Sequence, residues 1–133
     1  MKLYIIVAFG SGIGGMLRYY ISDLVQKNFN SLFPYGTLTV NVIGSFIIGF
    51  VLFYFDSLKI ISAEMRLFLT VGICGGLTTF STFSYETIKL IQDSEYLLAS
   101  ANILLNIMLT LLAVLLAAVI SKLLLELKNA YRS

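Results

Sequence analysis

The sequence predicts an all-α membrane protein with four transmembrane helices. Of its 133 residues, 59% are hydrophobic and only 12% are charged, whereas a soluble domain carries about 25% charged residues. The mean hydropathy is +0.93. Four apolar segments are each long enough to cross the hydrocarbon core, which takes about 20 helical residues. Only short polar turns separate them, so we expect one four-span membrane domain over residues 1–133.

The rest of the composition argues against several other classes of protein. Cys74 is the only cysteine and histidine is absent, which excludes an internal disulfide and argues against a zinc or haem site. The net charge is +2 and the cationic residues are scattered, so no basic block is present for nucleic acid. The first apolar run passes signal-peptide length without a small-residue cleavage site, and we expect no leader to be removed.

The first span, residues 3–25, has a glycine-rich centre. Gly10, Gly12 and Gly15 match the pattern G-x-G-x-x-G, which marks a dinucleotide site when it follows a soluble strand. No βαβ pattern surrounds them, and Gly10 and Gly14 form a GxxxG pair that lets two membrane helices approach closely. We therefore interpret these glycines as helix-packing residues.

Arg18 is the charged residue within or near this first span. A charged side chain at the bilayer centre costs roughly 2.5 to 3.5 kcal/mol on insertion scales. Two interpretations stay open. Arg18 either reaches the membrane interface or serves a water-filled vestibule.

The second span, residues 35–55, follows Pro34, the only proline. Its polar residues Thr37, Asn41 and Ser45 recur every four positions. They are therefore predicted to share one face of the helix.

The third span, residues 65–91, contains the segment least suited to a helix, residues 72–84. Its three glycines each lower helix stability by roughly 0.8 to 1 kcal/mol relative to alanine, and the hydroxyl residues that follow can bond locally instead of extending the helix. We expect a break in the third helix at residues 75–78. Broken backbone at membrane depth is tolerated only where it is buried in protein or lines a wet cavity, so this segment predicts a site.

The fourth span, residues 96–127, is longer than a bilayer requires, and we expect the excess to project beyond the membrane. Asn102, Asn106 and Thr110 are again four residues apart. Leucines dominate the opposite side, and small residues extend the polar face, namely Ala113, Ala117 and Ser121. This pattern is typical of a helix with one face against lipid and the other against protein or a pore.

The distribution of positive charge favours cytoplasmic termini. An even number of spans puts both termini and the loop between the second and third spans on one side of the membrane. Six cationic residues then lie on the side of the termini and two or three on the opposite side, the range arising because Arg18 lies in or near a span. The positive-inside rule places the larger group in the cytoplasm. The six are Lys2, Lys59, Arg66, Lys122, Lys128 and Arg132, and the opposing residues are Lys27 and Lys89.

Four helices are too few to enclose an aqueous pathway and also shield it from lipid, so we expect an oligomer. Small residues four apart provide surfaces for close helix contact. The pairs are Gly10 with Gly14, Gly72 with Gly76, and Ser45 with Gly49. The alternative is that all three pairs pack only within one subunit.

Neutral hydrogen-bond donors predominate among the polar residues at membrane depth, and they can solvate an anion without trapping it. For any single serine or threonine, a bond to its own helix is the simpler interpretation, so only their clustering favours an anion path. Phe80 and Phe83 flank Ser81 and Thr82. Their ring edges are electropositive and can face an anion, although core packing is the alternative for both rings.

Three motifs resemble the small bacterial fluoride channels of the Fluc family. Residues 75–83, GGLTTFSTF, resemble the signature of that family's third span. Residues 41–46, NVIGSF, are similar to its second-span motif, and residues 14–19, GGMLRY, to its first. The resemblance covers the whole chain, and the third-span motif is specific because neither packing nor hydropathy demands that order of residues.

The resemblance implies an antiparallel, dual-topology homodimer in the bacterial cytoplasmic membrane, with two narrow pores lined by both subunits. It implies a fluoride pore formed by Phe80, Phe83, Asn41, Ser81, Thr82 and Thr110. Arg18 and Glu86 match vestibule positions. A structural sodium ion at the dimer centre would be held by the backbone carbonyls of Gly75 and Thr78, since hard cations prefer oxygen ligands.

The expected function is passive, fluoride-selective export, with no enzymatic activity and no organic cofactor. One alternative is a small proton-coupled multidrug exporter, which needs a carboxylate within the membrane; Glu86 is the nearest candidate. The other alternative is a membrane assembly subunit that transports nothing.

Overall fold

The computed structural model describes the backbone of residues 1–132 and the side chains up to Tyr131. This part of the chain is helical, with turns between the helices and no strand. The helices are α1 (Lys2–Phe29), α2 (Tyr35–Phe50, continued by the wider π-helical turn Val51–Phe55), α3 (residues 63–77), α4 (Phe80–Gln92) and α5 (Tyr96–Arg132).

Four stretches of the described chain are long and apolar enough to cross a membrane, which confirms the four predicted spans. They are Lys2–Phe29, Tyr35–Phe55, Ala63–Gln92 and Tyr96–Tyr131. The first helix runs four residues beyond the predicted end of its span at residue 25, because its last turn is polar but still helical. The fourth, with 37 residues in α5, is about 55 Å long at 1.5 Å per residue, well beyond the hydrocarbon thickness.

The turn between α1 and α2 is held by the Gln26 side chain. Asn30 ends α1 in the left-handed conformation, with φ of 42°, which asparagine adopts more readily than most residues. Gln26 Nε2 then donates to the carbonyls of Ser31 and Phe33, at 2.7 and 3.1 Å, and its Oε1 accepts from the Gly36 N–H at 3.2 Å. These bonds fix where α2 begins relative to α1.

Helix α3 is irregular along its length. It consists of Ala63–Leu67, the π-helical stretch Phe68–Cys74 and a last turn, Gly75–Leu77. Ser62 caps its start by accepting the Met65 N–H at 3.1 Å. The π-helical stretch had no counterpart among the sequence predictions.

The extended backbone between α3 and α4 lies at Thr78 and Thr79, whose φ and ψ are −85° and 156°, and −152° and 119°. Gly75 is helical, with φ of −63° and ψ of −36°, and Gly76 follows in the same turn. The prediction located the non-helical residues at 75–78, and within that range only Thr78 is extended. These glycines have helical backbone angles, so their flexibility is not used here. For Gly76 the absence of a side chain matters instead, because it allows the close contact with α1 described next.

Helices α1 and α3 meet through glycines on both. A methyl group added at Gly10 would lie 2.8 Å from the Cα of Gly72, and one added at Gly76 would lie 2.5 Å from the Ser11 carbonyl oxygen. A methyl group at Gly14 would overlap the carbonyl of Ile73. The two GxxxG pairs therefore join helices of the same subunit, which corrects the expectation that they supply the contacts of an oligomer.

The remaining core lies between α2 and α5. Gly49 of α2 faces Ala117, whose Cβ would be 3.0 Å from an added methyl group. The buried side of α5 is the small and polar face that the spacing predicts, namely Ala99, Asn102, Asn106, Ala113, Ala117 and Ser121. Large apolar side chains on the other faces are exposed on the subunit, as a lipid-facing surface requires.

Candidate functional site

The extended residues Thr78 and Thr79 are the centre of the site, and Asn41 of α2 holds them. Asn41 Oδ1 accepts the Thr79 N–H at 2.8 Å, and its Nδ2 donates to the Thr79 carbonyl at 3.2 Å. One side chain thus satisfies both polar groups of a buried backbone residue that no longer makes helical bonds. The second hydrogen of Asn41 Nδ2 points to Asn106 Oδ1, at 3.0 Å.

This pairing changes the hydrogen bonding of Gly75. In a continuous helix the Thr79 N–H would donate to the carbonyl four residues earlier, that of Gly75. Here it donates to Asn41 instead. Gly75 is also exposed on the subunit, and an added methyl group there would meet only the Thr70 carbonyl, at 3.8 Å. The Gly75 carbonyl is therefore released close to the open surface.

Three hydroxyl groups cluster at the first turn of α4. Thr79 caps the helix by accepting the Thr82 N–H at 3.2 Å, and its Oγ1 donates to Thr82 Oγ1 at 3.0 Å. Ser81 Oγ lies 3.2 Å from the same Thr79 oxygen. Because Thr82 Oγ1 only accepts in these bonds, its own hydrogen stays available. Ser81 and Thr82 are both exposed on the subunit.

Phe80 and Phe83 form an aromatic pair with very different surroundings. Their ring centroids are 5.4 Å apart and the ring planes are tilted by 55°. Phe83 is only 9% exposed, whereas Phe80 is 79% exposed on the subunit surface. The core-packing alternative thus fits Phe83 within this subunit but does not fit Phe80.

Two cavities meet at Thr79. The first, of about 740 Å³, is called the Arg18 cavity after one of its lining residues and also contains Thr79, Thr82 and Glu86. The second, of about 440 Å³, is called the Phe80 cavity. Predicted site residues that line it are Asn41, Gly75, Thr78, Phe80, Phe83 and Thr110. Ser81 lines neither of these two cavities.

The charged groups of the Arg18 cavity are not paired with each other. Within residues 1–132, no carboxylate lies within 4.0 Å of the Arg18 guanidinium. Glu86 Oε1 accepts from Thr37 Oγ1 at 2.7 Å, while its shielded Oε2 has no partner in the described chain. Arg18 is half-buried and makes no direct ion pair. The same cavity is also lined by Lys89 and by four carboxylates, those of Asp23, Glu86, Asp93 and Glu95.

Thr110 lies in the Phe80 cavity but uses its hydroxyl hydrogen locally. Its Oγ1 is 2.6 Å from the Asn106 carbonyl and 3.1 Å from that of Ile107. Both acceptors belong to its own helix, the usual arrangement for a membrane threonine. In this state Thr110 offers the cavity an oxygen rather than a donor.

Comparison with known proteins identifies the family. Residues 5–118 match the model of the family described as CrcB-like protein, Camphor Resistance (CrcB). The chain belongs to the CrcB family. That match covers both GxxxG pairs, both cavities and every predicted site residue.

Curated relatives are similar over most of their length. A CrcB relative from Clostridium novyi is 53% identical over 104 residues, which cover 78% of this chain and 81% of the relative. One from Clostridium perfringens is 49% identical over 106 residues, with 80% and 83% covered, and one from Methanococcus aeolicus is 48% identical, with 80% and 84% covered. Each of these relatives is named "Fluoride-specific ion channel FluC".

The structure adds four buried polar residues to the site of this CrcB protein that the predicted set lacks. They are Thr37, Thr87, Asn102 and Asn106, each at most 6% exposed. Thr37 bonds Glu86 on another helix, Asn102 bonds Thr87, and Asn106 bonds Asn102. The four-residue spacing of Asn102 and Asn106 had marked their helix face but not their partners. Thr87 could have been found as the hydroxyl residue one turn after Phe83, and its bond to that carbonyl is 2.8 Å.

Proposed function

We propose that this chain is the subunit of a passive, fluoride-selective ion channel that exports fluoride across the cytoplasmic membrane. The relatives' shared name supports the ion, and the family is one of channels rather than enzymes. The observation that carries the proposal in this chain is the arrangement around Thr79. Thr79 lines both cavities, the Thr82 hydroxyl lines the Arg18 cavity, and the Phe80–Phe83 pair lines the Phe80 cavity.

The proposed path begins at Arg18 and passes the neutral donors. The guanidinium of Arg18, which makes no direct ion pair, is proposed to attract the anion at the wide cavity. Thr82 then offers its hydroxyl hydrogen, so that the anion exchanges water for a neutral donor. Ser81 would have to turn its hydroxyl away from Thr79 to act in the same way, because the Thr79 hydrogen is already donated to Thr82. Release is expected to be fast because these donors are neutral and hold the ion less firmly than a cation in direct contact would.

Selectivity is proposed to come from the two rings and the Asn41 amide. Fluoride is small enough to approach the electropositive edges of Phe80 and Phe83 closely, which larger chloride cannot do. Both N–H groups of Asn41 are used within the subunit. Asn41 therefore contributes to a fluoride site by exchanging one of these partners for the ion. Thr110 would likewise have to turn its hydroxyl away from the Asn106 carbonyl.

The pore is proposed to be completed by a second, oppositely inserted copy of the chain, giving two pores per dimer. Phe80 is 79% exposed on one subunit, and a single subunit leaves the Phe80 cavity open on one side. A ring that contacted lipid alone would have no role in conduction. A second copy would cover it and supply the opposite wall.

A structural sodium ion at the dimer centre is proposed to be held by the carbonyls of Gly75 and Thr78. The Gly75 carbonyl has lost its usual helical donor and lies next to open surface, which fits a backbone ligand. Within residues 1–132 no cluster of three His, Cys, Asp or Glu side chains is present to hold a metal. When bound, the ion would supply positive charge to carbonyl oxygens that otherwise repel one another.

The deciding experiment is ion efflux from vesicles that contain the purified chain. Wild-type protein should release fluoride rapidly and retain chloride. Phe80→Ile should slow fluoride release by at least about tenfold, equivalent to roughly 1.4 kcal/mol of lost ring-edge interaction. The matched control is Ile88→Leu, another exposed residue of α4, which should behave like wild type.

The same assay separates the alternatives. Chloride release at a rate comparable to fluoride would reject the proposed selectivity. Transport of hydrophobic cations driven by a proton gradient would instead indicate a multidrug exporter that uses Glu86, the carboxylate bonded to Thr37. No flux of any ion would indicate an assembly subunit.

A further inference from the structure

A continuous chain of hydrogen bonds links three asparagines and connects α2, α5 and α4. Asn41 Nδ2 donates to Asn106 Oδ1 at 3.0 Å, and Asn106 Nδ2 donates to Asn102 Oδ1 at 2.8 Å. Asn102 Nδ2 then donates to Thr87 Oγ1 at 2.9 Å, and Thr87 donates to the Phe83 carbonyl at 2.8 Å. We call this set of bonds the asparagine ladder. Every donor along it points the same way.

The direction of the ladder is set by backbone groups, namely the N–H of Thr79 and the carbonyls of Thr79 and Asn102, which accept from Asn41 and Asn106. This N–H can only donate, so the oxygen of Asn41 must face it and the nitrogen must face Asn106. Asn106 must then present its oxygen, which turns its nitrogen toward Asn102. The same reasoning turns the nitrogen of Asn102 toward Thr87. Reversing any one amide would leave donor facing donor in a dry interior, which is costly.

The ladder attaches α4 to the rest of the subunit at two points. Asn41 holds Thr79 at the start of the helix, and Asn102 holds Thr87 eight residues later. At 1.5 Å per residue these points are about 12 Å apart. Phe80 and Phe83 lie between them. Thr37 of α2 also bonds Glu86 on α4, at 2.7 Å. The Asn102–Thr87 bond is the side-chain attachment that joins α4 to α5, and together these bonds restrict the rotation of α4 about its own axis.

Resting on the proposed function, we infer that Asn102 is a positioning residue for the Phe80–Phe83 pair. Asn102 is fully buried, at 0% exposed, and lines neither of the two cavities, so it acts through its neighbours. It holds α4 through Thr87, whose hydroxyl bonds the Phe83 carbonyl. It also orients Asn106 and thereby the amide of Asn41. Loss of Asn102 should therefore let α4 rotate and turn both rings out of line.

The test compares Asn102→Leu, of similar size, with the isosteric Thr87→Val in the full-length protein. Fluoride efflux from vesicles should fall by about tenfold or more in each variant, and the ratio of fluoride to chloride flux should fall with it. The conservative variant Thr87→Ser keeps the hydroxyl and should restore both. The matched control is Ser121→Ala, because Ser121 is equally buried on α5 but bonds only the Ala117 carbonyl of its own helix.

A second measurement does not depend on transport. Thermal unfolding in detergent should show that the Asn102→Leu/Thr87→Val double variant loses less stability than the sum of the two single losses, because both changes break the Asn102–Thr87 bond. Additive losses would reject the ladder as a coupled unit. Unchanged selectivity in the Asn102 and Thr87 single variants would reject the positioning role. Wild-type protein that carries no fluoride would reject the proposed function, while non-additive melting would still support the ladder.

Discussion

At the scale of single residues, Asn41 has the largest structural task in this chain. It bonds both the N–H and the carbonyl of Thr79, a buried residue whose backbone is extended. The same amide is implied in the fluoride pore by the family resemblance. Asn41 is thus assigned two roles, support of the extended backbone and contact with the ion. A mutation of Asn41 affects both, so stability and fluoride flux have to be measured independently.

Replacing Asn41 tests its structural task. Asn41→Leu leaves the buried N–H and carbonyl of Thr79 without partners, and each unsatisfied group costs about 1 to 3 kcal/mol. We therefore expect the free energy of unfolding to fall by about 2 to 6 kcal/mol, measured by titration from mild into denaturing detergent. Ser45→Ala, one turn further along α2, should change it by less than about 0.5 kcal/mol. Equal stability of the two variants would show that Asn41 does not hold Thr79.

At the scale of helices, the pairing of α1 with α3 depends on glycine contacts. Gly10 faces Gly72, and Gly76 faces Ser11 and Gly15, with backbone rather than side chains at the closest points. Backbone cannot move aside as a flexible side chain does. The π-helical stretch Phe68–Cys74 takes part in the same contact. The irregular part of α3 therefore packs against the glycine-rich face of α1.

Gly10→Ala tests this contact against Gly12→Ala on the same helix. A methyl group at Gly10 would lie 2.8 Å from both the Gly72 Cα and the Phe68 carbonyl oxygen, whereas one at Gly12 would meet nothing within 4 Å. Overpacking of this kind costs about 1 to 3 kcal/mol. Gly10→Ala should therefore lower the detergent unfolding midpoint, and Gly12→Ala should leave it unchanged or raise it, because alanine is the better helix former. A lower midpoint for Gly12→Ala would place a further contact, such as a second subunit, on that face.

At the scale of the whole molecule, two arguments about insertion disagree. The count of cationic residues favours cytoplasmic termini, whereas the proposed antiparallel dimer needs both orientations in equal number. Part of the positive charge lies on the far end of α5, which projects beyond the membrane and beyond the family match at residue 118. Charges far from a span end contribute little to orientation, so this part of the count is weak evidence for a single topology.

Thiol labelling from outside the cell decides between them. The design places a cysteine at the exposed Asn129 in a Cys74→Ser background, because Cys74 is the only native cysteine and is buried. An impermeant maleimide should label about half of the Asn129→Cys protein in intact cells if insertion is dual. Permeabilised cells give the full signal as the control. Labelling near zero or near complete would reject the antiparallel dimer.

Much of the fold follows from the sequence because its causes are local. Composition and the length of apolar runs predicted the four spans, and four-residue spacing predicted the buried face of α5. Poor helix formers marked the region in which Thr78 and Thr79 are extended. The third-span motif supplied six of the predicted site residues, and the other two motifs supplied Asn41 and Arg18. Glu86 and Thr110 came from the wider family resemblance, and the family match covers all of these residues.

The sequence by itself determined which residues lie in the membrane and which face of each helix is small or polar, because both depend only on composition and periodicity. Only the tertiary structure decided which helix each face meets. It paired the GxxxG motifs within one subunit, brought Asn41 to Thr79 across 38 positions, and joined Asn102 to Thr87. Periodicity fixes a face but not its neighbour, since rotation and register between helices are set by packing and by hydrogen bonds between residues distant in sequence.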